Sequence, residues 1–311
     1  MPASHLLQRA VNKLLRPWRR RRRSGDLASL RRALGGLQLR NPVVIILTPG
    51  SLHLARLAWG FVPAGVPVVL VLNGVDAWEA AWARANLPSD AFLTSRSLLG
   101  HAEIIDACLD HLPTEFGLLD HDCLVLNPEW FGRLAACLGA NSMSGCFPLA
   151  APGGLDLLHT FFLWFNPQVC RDLKRRFGVS AAEYRWEQVS EPVREALSRV
   201  GYRPGSYPEA DKSYFDTLRL LQLLGAATGV PPVVAGRLDG SPVPTREVFH
   251  IGGVSYRDVV FNFWIYRGCY LWRTILNLKH NRDLAQHYAA RFGEISPDKL
   301  AEGYPEFHRQ F

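Results

Sequence analysis

Short apolar runs alternate along the chain with amphipathic stretches. Val43–Leu47 and Val66–Leu72 are continuous apolar runs bounded by turn residues, which is the pattern of strands buried on both faces of a sheet. Apolar residues at helical spacing follow each run, over Leu52–Phe61 and again from Trp78. This strand–helix–strand–helix order with short connections predicts right-handed crossovers and a mostly parallel sheet flanked by helices, in an α/β fold.

Polar residues mark where these elements begin. Ser51 and Asp76 are expected to cap the first two helices, because a short oxygen-bearing side chain can accept a hydrogen bond from the first helical turn. The next unit differs, since a helix is predicted over Ser97–Leu112 before a short strand at Phe116–Leu119. A second short apolar run follows, and a further helix is predicted from Glu129.

Two carboxylates close the strand at Phe116–Leu119. Asp120 and Asp122 are two residues apart, so in extended chain they point to the same side, while His121 faces away and is expected to be structural. Two unpaired carboxylates beside a buried strand repel each other, and a divalent cation such as Mg²⁺ or Mn²⁺ would resolve this. The alternative is a turn in which one aspartate caps the next element. No G-x-G-x-x-G or Walker A sequence follows the first strand, which argues against classical dinucleotide and P-loop folds.

The segment Phe116–Val125 resembles the D-x-D segment of GT-A glycosyltransferases. The opening strand and the helix before the D-x-D are similar to the layout of that superfamily, and the resemblance covers roughly residues 41–255. It implies a Rossmann-type nucleotide-binding domain and a nucleotide-diphosphate sugar as donor. It also implies a Mn²⁺ or Mg²⁺ ion that Asp120 and Asp122 hold against the donor diphosphate.

The resemblance suggests further contacts to donor and metal. Thr48 ends the first strand, where GT-A enzymes bind the base and ribose, and His53 and Arg96 are candidate nucleotide contacts. Many GT-A enzymes place a late histidine on the metal, and His250 is the candidate here because neutral imidazole is a good metal ligand. Gly252 follows it, and glycine lets backbone approach a phosphate closely.

The resemblance also suggests a catalytic base. Inverting GT-A enzymes carry an acidic motif, a helix and a glycine about a hundred residues after the D-x-D, and Asp216 lies 94 residues after Asp122. The usual Glu-Asp pair is missing, which leaves Asp211 and Asp216 as rivals for deprotonating the acceptor hydroxyl. Both aspartates could instead be helix-capping or first-turn acids before a helix over Thr217–Gly225.

The net positive charge of the chain is concentrated at its N-terminal end. The 311 residues are 48% hydrophobic and 20% charged, which excludes a disordered chain, and the six cysteines show no zinc or disulfide framework. The net charge of +7 comes from residues 1–40, which hold 11 of the 35 basic residues and one of the 28 acidic residues. The body from residue 41 onward is therefore slightly acidic.

The N-terminal arm combines that charge with apolar residues. The apolar side is formed by Leu6, Leu7, Val11, Leu14, Leu15 and Trp18, and Arg19–Arg23 follow directly. This pattern suits an anionic membrane surface, with a solvated tail and a nucleic-acid-binding tail as alternatives. The aromatic segment Phe261–Leu278 is either a helix packed on the body or a second membrane contact, and its two arginines argue against a spanning helix.

These features predict three regions and one activity. The regions are a basic arm over residues 1–40, a catalytic domain over 41–258 and a helical extension over 259–311. The activity is metal-dependent, inverting transfer of a sugar to a hydroxyl of a glycan or lipid-linked acceptor, on the cytoplasmic face of a membrane. Trp164 in an aromatic run is a candidate acceptor contact. The alternatives are a nucleotidyltransferase of similar fold and a non-enzymatic protein that binds nucleic acid or membrane through the arm.

Overall fold

A computed structural model describes residues 21–151, 154–203, 214–236, 247–251 and 281–294 of the chain. Four features named above lie outside these residues. They are Asp211, Gly252, the first 20 residues of the arm, and the segment Phe261–Leu278. No helix within the described ranges is long and apolar enough to cross a membrane.

The helices and strands follow one another closely. The helices are α1 (residues 21–35), α2 (Leu52–Gly60), α3 (Ala77–Asn86), α4 (His101–His111), α5 (Glu129–Leu138), α6 (Pro167–Phe177), α7 (Glu191–Arg199), α8 (Arg219–Ala227) and α9 (Arg282–Phe292). The first strands are β1 (Val43–Leu47), β2 (Val68–Asn73), β3 (Ala91–Ser95), β4 (Phe116–Asp120), β5 (Cys123–Val125) and β6 (Met143–Gly145). The later strands are β7 (Pro148–Ala151), β8 (Leu155–Leu158), β9 (Phe162–Phe165), β10 (Tyr184–Arg185), β11 (Tyr214–Phe215), β12 (Val233–Val234) and β13 (Val248–His250).

A seven-stranded sheet forms the centre of the molecule, in the order β12-β6-β9-β4-β1-β2-β3. Strands β1 to β4 are parallel to one another, and β9 runs antiparallel between β4 and β6. The chain winds from β1 outward to β2 and β3, then returns to place β4 on the other side of β1. The predicted α/β fold with a mostly parallel sheet flanked by helices is confirmed.

Helices cover both faces of this sheet, which explains the continuous apolar strands. Val44 and Ile46 of β1 point to the face covered by α1, α4, α6, α7 and α8, whereas Val43, Ile45 and Leu47 point to the face covered by α2, α3, α5 and α9. Each strand residue therefore has an apolar layer to pack against. At roughly 25 cal/mol per Å² of buried apolar surface, these two layers supply the main stabilisation of the fold.

Several element boundaries differ from the predicted ones. Strand β3 was not predicted, because it lies at the edge of the sheet and its residues are only partly buried. The helix expected from Ser97 begins at His101, since Ser97 belongs to the turn after β3. Asp76 caps α3 as predicted, in a reciprocal pair with Glu79. The Ser51 hydroxyl does not cap α2, because it is hydrogen-bonded to the backbone of Thr48 instead.

The helices nearest the two ends of the described chain pack on the body. In α1, Leu30 and Leu34 are fully buried in the core. In α9, Leu284 and Tyr288 are fully buried on the opposite face. The basic arm and the C-terminal extension are thus each anchored to the sheet by a helix.

Candidate active site

The candidate site lies where the chain reverses its winding direction. β2 and β3 lie on one side of β1 and β4 lies on the other, so a crevice opens at the carboxyl ends of β1 and β4. Ligands of open α/β sheets bind at this switch point. Asp120 is the last residue of β4 and pairs in register with Ile46, while Thr48 follows the last residue of β1. The fold therefore brings the predicted nucleotide residue Thr48 and the predicted metal residue Asp120 to one crevice.

A short two-stranded sheet brings His250 to the D-x-D. β13 runs antiparallel to β5 and pairs His250 with Cys123, and the backbone N–H of Ile251 donates to the carbonyl of Asp122 at 3.0 Å. Ligand atoms of Asp120, Asp122 and His250 all lie within 4.8 Å of one another. Two carboxylates and one imidazole at this spacing are a donor set that fits a divalent ion such as Mn²⁺ or Mg²⁺.

Asp122 is the more buried of the two aspartates, with 7% of its side chain exposed. Burial opposes its ionisation, but the His250 Nε2 atom lies 3.5 Å from Asp122 Oδ1 and the His121 imidazole is also near. Together these imidazoles outweigh the burial and hold the pKa of Asp122 below its ordinary value. The carboxylate is therefore ionised at neutral pH, as a metal ligand must be.

A second histidine, His101, accompanies Asp120 and was not predicted. It is the first residue of α4, and its Nε2 atom lies 3.5 Å from Asp120 Oδ1. Burial lowers the pKa of His101, but contact with Asp120 and the charges of Asp216 and Asp122 raise it above its ordinary value. α4 follows β3 and leads into β4, so it begins at the carboxyl edge of the sheet, and this position was the signal that could have identified His101. The Nδ1 atom of His121 lies 3.1 Å from the carbonyl oxygen of Ile46, and its expected structural role stays a prediction.

Asp216 is exposed and lies close enough to this group for its charge to act on His101. Its carboxylate accepts the backbone N–H of Thr217 at 2.7 Å. Two residues later Leu218 has a φ of 65°, a left-handed conformation that is costly for a leucine, although its side chain is fully buried. This backbone turn begins α8. It leaves the Asp216 carboxylate outside the helix and exposed on the side near His101. Its assignment as the base stays a prediction, as does that of Asp211.

The turn after β1 is tied to distant helices by a buried acid. Glu79 of α3 is fully buried, and its carboxylate accepts the backbone N–H of Gly50 at 2.8 Å. The Tyr288 hydroxyl of α9 accepts the backbone N–H of Leu52 at 3.1 Å and is also hydrogen-bonded to Glu79. Arg291 pairs with Glu79 as well. We call Glu79, Tyr288 and Arg291 the α9 clamp, because they hold the turn that contains Thr48.

Two other predicted nucleotide residues lie away from the crevice. His53 is fully buried in α2, and burial together with the nearby His121 lowers its pKa to about 3. A direct contact between the His53 ring and a nucleotide therefore has no support in this structure. Arg96 is exposed directly after β3, two strands beyond β1. Its role in nucleotide binding stays a prediction.

Among the aromatic residues, Phe161 reaches the site and Trp164 does not. The ring of Phe161 stacks on His250 with centroids 3.9 Å apart and planes at 7°. The carbonyl of Phe161 accepts the backbone N–H of Asp120 at 2.9 Å. Trp164 is buried against Gly117, so the hypothesis that it contacts the acceptor is wrong. Phe161 instead fixes the ring orientation of the candidate ligand His250.

A second acidic group, formed by Asp76, Glu79 and His287, also has ligand atoms within 4.8 Å of one another. Arg291 pairs with both carboxylates of this group, at 2.6 Å from Asp76 Oδ2. His287 Nε2 lies 3.0 Å from the same oxygen. The guanidinium bridges the two carboxylates, so the geometry of this group is explained by the α9 clamp.

Two comparisons of the sequence with known proteins found glycosyltransferases. Residues 20–170 match the family described as StrH glycosyltransferase N-terminal domain. The dTDP-dihydrostreptose–streptidine-6-phosphate dihydrostreptosyltransferase of Streptomyces griseus is 24% identical over 269 residues, which is 70% of this chain and 68% of that protein.

Solved structures of similar fold include enzymes of two kinds. The apo form of the glycosyltransferase GlyE of Streptococcus pneumoniae TIGR4 has a TM-score of 0.41 and 12% identity, covering 78% of this chain and 64% of that one. A 4-diphosphocytidyl-2C-methyl-D-erythritol synthase has a TM-score of 0.35 and 13% identity, covering 77% of this chain and 100% of that one.

The sequence matches favour one of the predicted functions over its alternatives. The matched family is a glycosyltransferase domain and the similar Streptomyces protein is a glycosyltransferase, so the nucleotidyltransferase alternative is not favoured. A purely nucleic-acid-binding protein is excluded for the same reason. These matches support a glycosyltransferase, and residues 20–170 are similar to a StrH-type N-terminal domain.

Proposed function

We propose that the protein transfers a sugar from a nucleotide-diphosphate donor to a hydroxyl group with the help of a divalent metal ion. The observation that carries this proposal is the convergence of Asp120, Asp122 and His250, whose ligand atoms lie within 4.8 Å of one another at the switch point. The similar Streptomyces protein is named for a dTDP-sugar donor, which supports a nucleoside diphosphate as the leaving group. A bound Mn²⁺ or Mg²⁺ would neutralise charge that develops on this diphosphate.

The residues of the crevice divide into three roles. Asp120, Asp122 and His250 would hold the ion, and Phe161 keeps the His250 ring in place by stacking. The turn after β1, which contains Thr48, faces the same crevice and would bind the nucleoside. The α9 clamp keeps that turn in place, so this binding surface is organised before the donor arrives.

Proton removal from the acceptor is assigned to Asp216, with Asp211 as its rival. The charge of Asp216 acts on His101, which contacts Asp120, so the carboxylate lies near the crevice. There it would take the acceptor proton as the hydroxyl attacks the anomeric carbon from the face opposite the leaving diphosphate. Attack from that face would invert the configuration at that carbon.

The acceptor is proposed to be a glycan or lipid-linked molecule at the cytoplasmic face of a membrane. The basic and apolar residues of the arm support peripheral association, since each base near an anionic surface contributes on the order of 1 kcal/mol. Helix α1 continues from the arm and is packed into the core, so association through the arm would bring the catalytic body to the surface.

Calorimetric titration of dTDP, UDP and GDP in the presence of Mn²⁺ tests the metal site. Asp122→Asn keeps the size of the side chain and removes its charge, so Mn²⁺-dependent binding of the preferred nucleotide should fall at least about tenfold, because ionic ligands dominate affinity for a divalent ion. Asp172→Asn is the matched control, since Asp172 is exposed on α6 and pairs only with surface groups. Equal nucleotide affinity in wild type and Asp122→Asn, with and without Mn²⁺, would refute the metal-dependent mechanism.

A further inference from the structure

Helix α1 fixes part of the arginine run against the edge of the sheet. Its buried leucines Leu30 and Leu34 lie in the core, and Asp26 accepts the backbone N–H of Ser97 at 2.8 Å. Arg23 pairs with Glu103 at the start of α4. These contacts hold the beginning of α1 beside the carboxyl end of β3. Arginines that the sequence places in a tail are therefore in part attached to the catalytic body.

A cationic groove lies between α1 and α3 across the outer edge of β3. We call it the arginine groove, and it is lined by Arg21, Arg22, Asp26, Ser29, Arg84, Thr94 and Arg96. Its volume is about 830 Å³. Four guanidinium groups face one carboxylate there, and that carboxylate already accepts a backbone hydrogen bond. The groove thus carries excess positive charge although the body of the protein is slightly acidic.

Three of the four arginines of the groove have no acidic partner in the described part of the chain. Among the residues that the structure describes, no carboxylate forms an ion pair with Arg21, Arg84 or Arg96. Arg84 instead donates to the Thr94 hydroxyl at 3.1 Å and lies over the ring of Phe92. Guanidinium groups match phosphate oxygens in pairs and are more weakly hydrated than ammonium groups. The chemistry that fits this groove is therefore a set of phosphate groups.

We propose that the arginine groove binds the phosphates of anionic phospholipid headgroups and is the part of the membrane-binding surface that belongs to the body. This inference rests on the peripheral membrane association proposed above. The groove is continuous with the arm, because Arg21 and Arg22 belong to the run Arg19–Arg23 that follows the apolar residues up to Trp18. Six of its seven lining side chains are exposed, as a surface that meets headgroups requires.

The position of the groove determines which side of the enzyme would face the membrane. Arg96 directly follows β3, and Asp120 ends β4, so both lie at the carboxyl edge of the sheet. β3 and β4 are separated by β2 and β1, which at about 4.8 Å per strand places them roughly 14 Å apart. A membrane on the groove would lie beside the crevice, within reach of a lipid-linked acceptor.

Co-sedimentation with vesicles tests the groove without donor or acceptor. The full chain is mixed with phosphatidylcholine vesicles or with vesicles of phosphatidylcholine and phosphatidylglycerol in equal parts. The double variant Arg84→Gln/Arg96→Gln should lose about tenfold or more of its partitioning onto the anionic vesicles, because two bases near the surface are removed. The control Arg175→Gln/Arg176→Gln removes the same charge from exposed positions of α6 and should bind as the wild type does.

Two further measurements test whether the groove itself binds headgroups. The alternatives are that the variant is unfolded, or that the arginines only protect the edge of the sheet from pairing. Arg84→Lys/Arg96→Lys keeps the charge and should retain most of the binding, and thermal unfolding of each variant reports whether the fold is intact. Arginines beside an edge strand also discourage its pairing with other strands, and that role alone predicts no preference for anionic vesicles.

Three outcomes would overturn the inference. One is equal vesicle binding by the wild type and Arg84→Gln/Arg96→Gln, which leaves membrane binding to the arm alone. Another is loss of nucleotide binding by that variant with unchanged vesicle binding, which makes Arg96 a donor contact. A third is tight calorimetric binding of inorganic phosphate that the variant loses, which makes the groove a site for free phosphate. Failure of wild-type binding to any vesicle would instead refute the membrane association itself.

Discussion

Single residues in and near the crevice owe their ionisation to their neighbours. Asp122 stays ionised although it is buried, because imidazoles surround it. His53 stays neutral because it is fully buried beside another imidazole, and its pKa is lowered to about 3 from 6.5. The sequence gives no sign that His53 is neutral. The burial of His53 decides its protonation state, and that burial depends on elements far apart in the chain.

The low pKa of His53 makes the protein sensitive to acid. Below pH 6.5 the unfolded chain binds a proton at His53 that the folded protein excludes until about pH 3, so stability falls as the pH is lowered. Between pH 7 and pH 5 this amounts to about 2 kcal/mol of unfolding free energy. In urea titrations at these two pH values, His53→Gln should lose correspondingly less stability than the wild type. The same pH dependence in both proteins would contradict the assignment.

Asp216 is expected to act on the chemical step and not on donor binding. Asp216→Asn should lower kcat by about 10²–10⁴, the usual contribution of a positioned base, while the affinity for nucleotide changes little. Asp211→Asn is measured in parallel, since the two aspartates are rivals. Full kcat in both single variants, or retention of configuration in the product, would rule out the proposed inverting mechanism.

At the level of elements, α9 supports the turn that is proposed to bind the nucleoside. Tyr288→Phe removes only the hydroxyl that meets the Leu52 N–H and Glu79, so the donor KM should rise several-fold while kcat changes little. The variant should also lose about 1–3 kcal/mol of unfolding free energy, because buried groups lose a partner. Tyr184→Phe is the control, since the Tyr184 hydroxyl accepts the Ser180 N–H elsewhere in the molecule. An unchanged donor KM in Tyr288→Phe would show that the turn does not need the clamp.

The elements that the sequence predicts well are those buried on both faces. β1 is apolar at every position and β2 is apolar as far as Leu72, because both helical layers cover them, and the pattern is visible in the chain itself. β3 was missed because an edge strand with residues such as Thr94 and Ser95 has no such pattern. In the site, the D-x-D was visible from two carboxylates next to a strand. The contact of His101 with Asp120 and the α9 clamp depend on crossovers, and no local pattern encodes them.

Gly225, at the end of the segment Thr217–Gly225, has a packing role. In the sequence it is visible only as the glycine that follows a predicted helix. A Cβ atom at Gly225 would lie 2.7 Å from the carbonyl oxygen of Val230. The turn after α8 therefore approaches the helix more closely than any side chain allows. This close turn leads the chain from α8 directly into β12 at the edge of the sheet.

For the whole molecule, the uneven charge predicts how the protein meets a surface. Removal of residues 1–20 should leave the midpoint of thermal unfolding unchanged, provided that α1 remains, because the buried anchors Leu30 and Leu34 are retained. The protein without residues 1–20 should sediment much less with phosphatidylglycerol vesicles at low salt than the full chain does. Binding of the full chain should weaken as salt is raised, because charges at a surface are screened over about 8 Å at physiological ionic strength. Truncated protein that sediments as well as the full chain would identify the arm as a solvated tail.

The hydrogen bond between Leu52 and Tyr288 spans 236 residues of sequence. A ribosome adding about 5–20 residues per second needs roughly 10–50 s to cover that span, and throughout this time β1 and its following turn already exist. The crevice acquires its clamp only after Tyr288 and Arg291 have been synthesised. A nascent chain would therefore carry the D-x-D and most of its sheet before the turn after β1 is held in place. A message truncated before codon 288 would yield a protein that retains Asp120 and Asp122 but lacks the support for the turn proposed to bind the nucleoside.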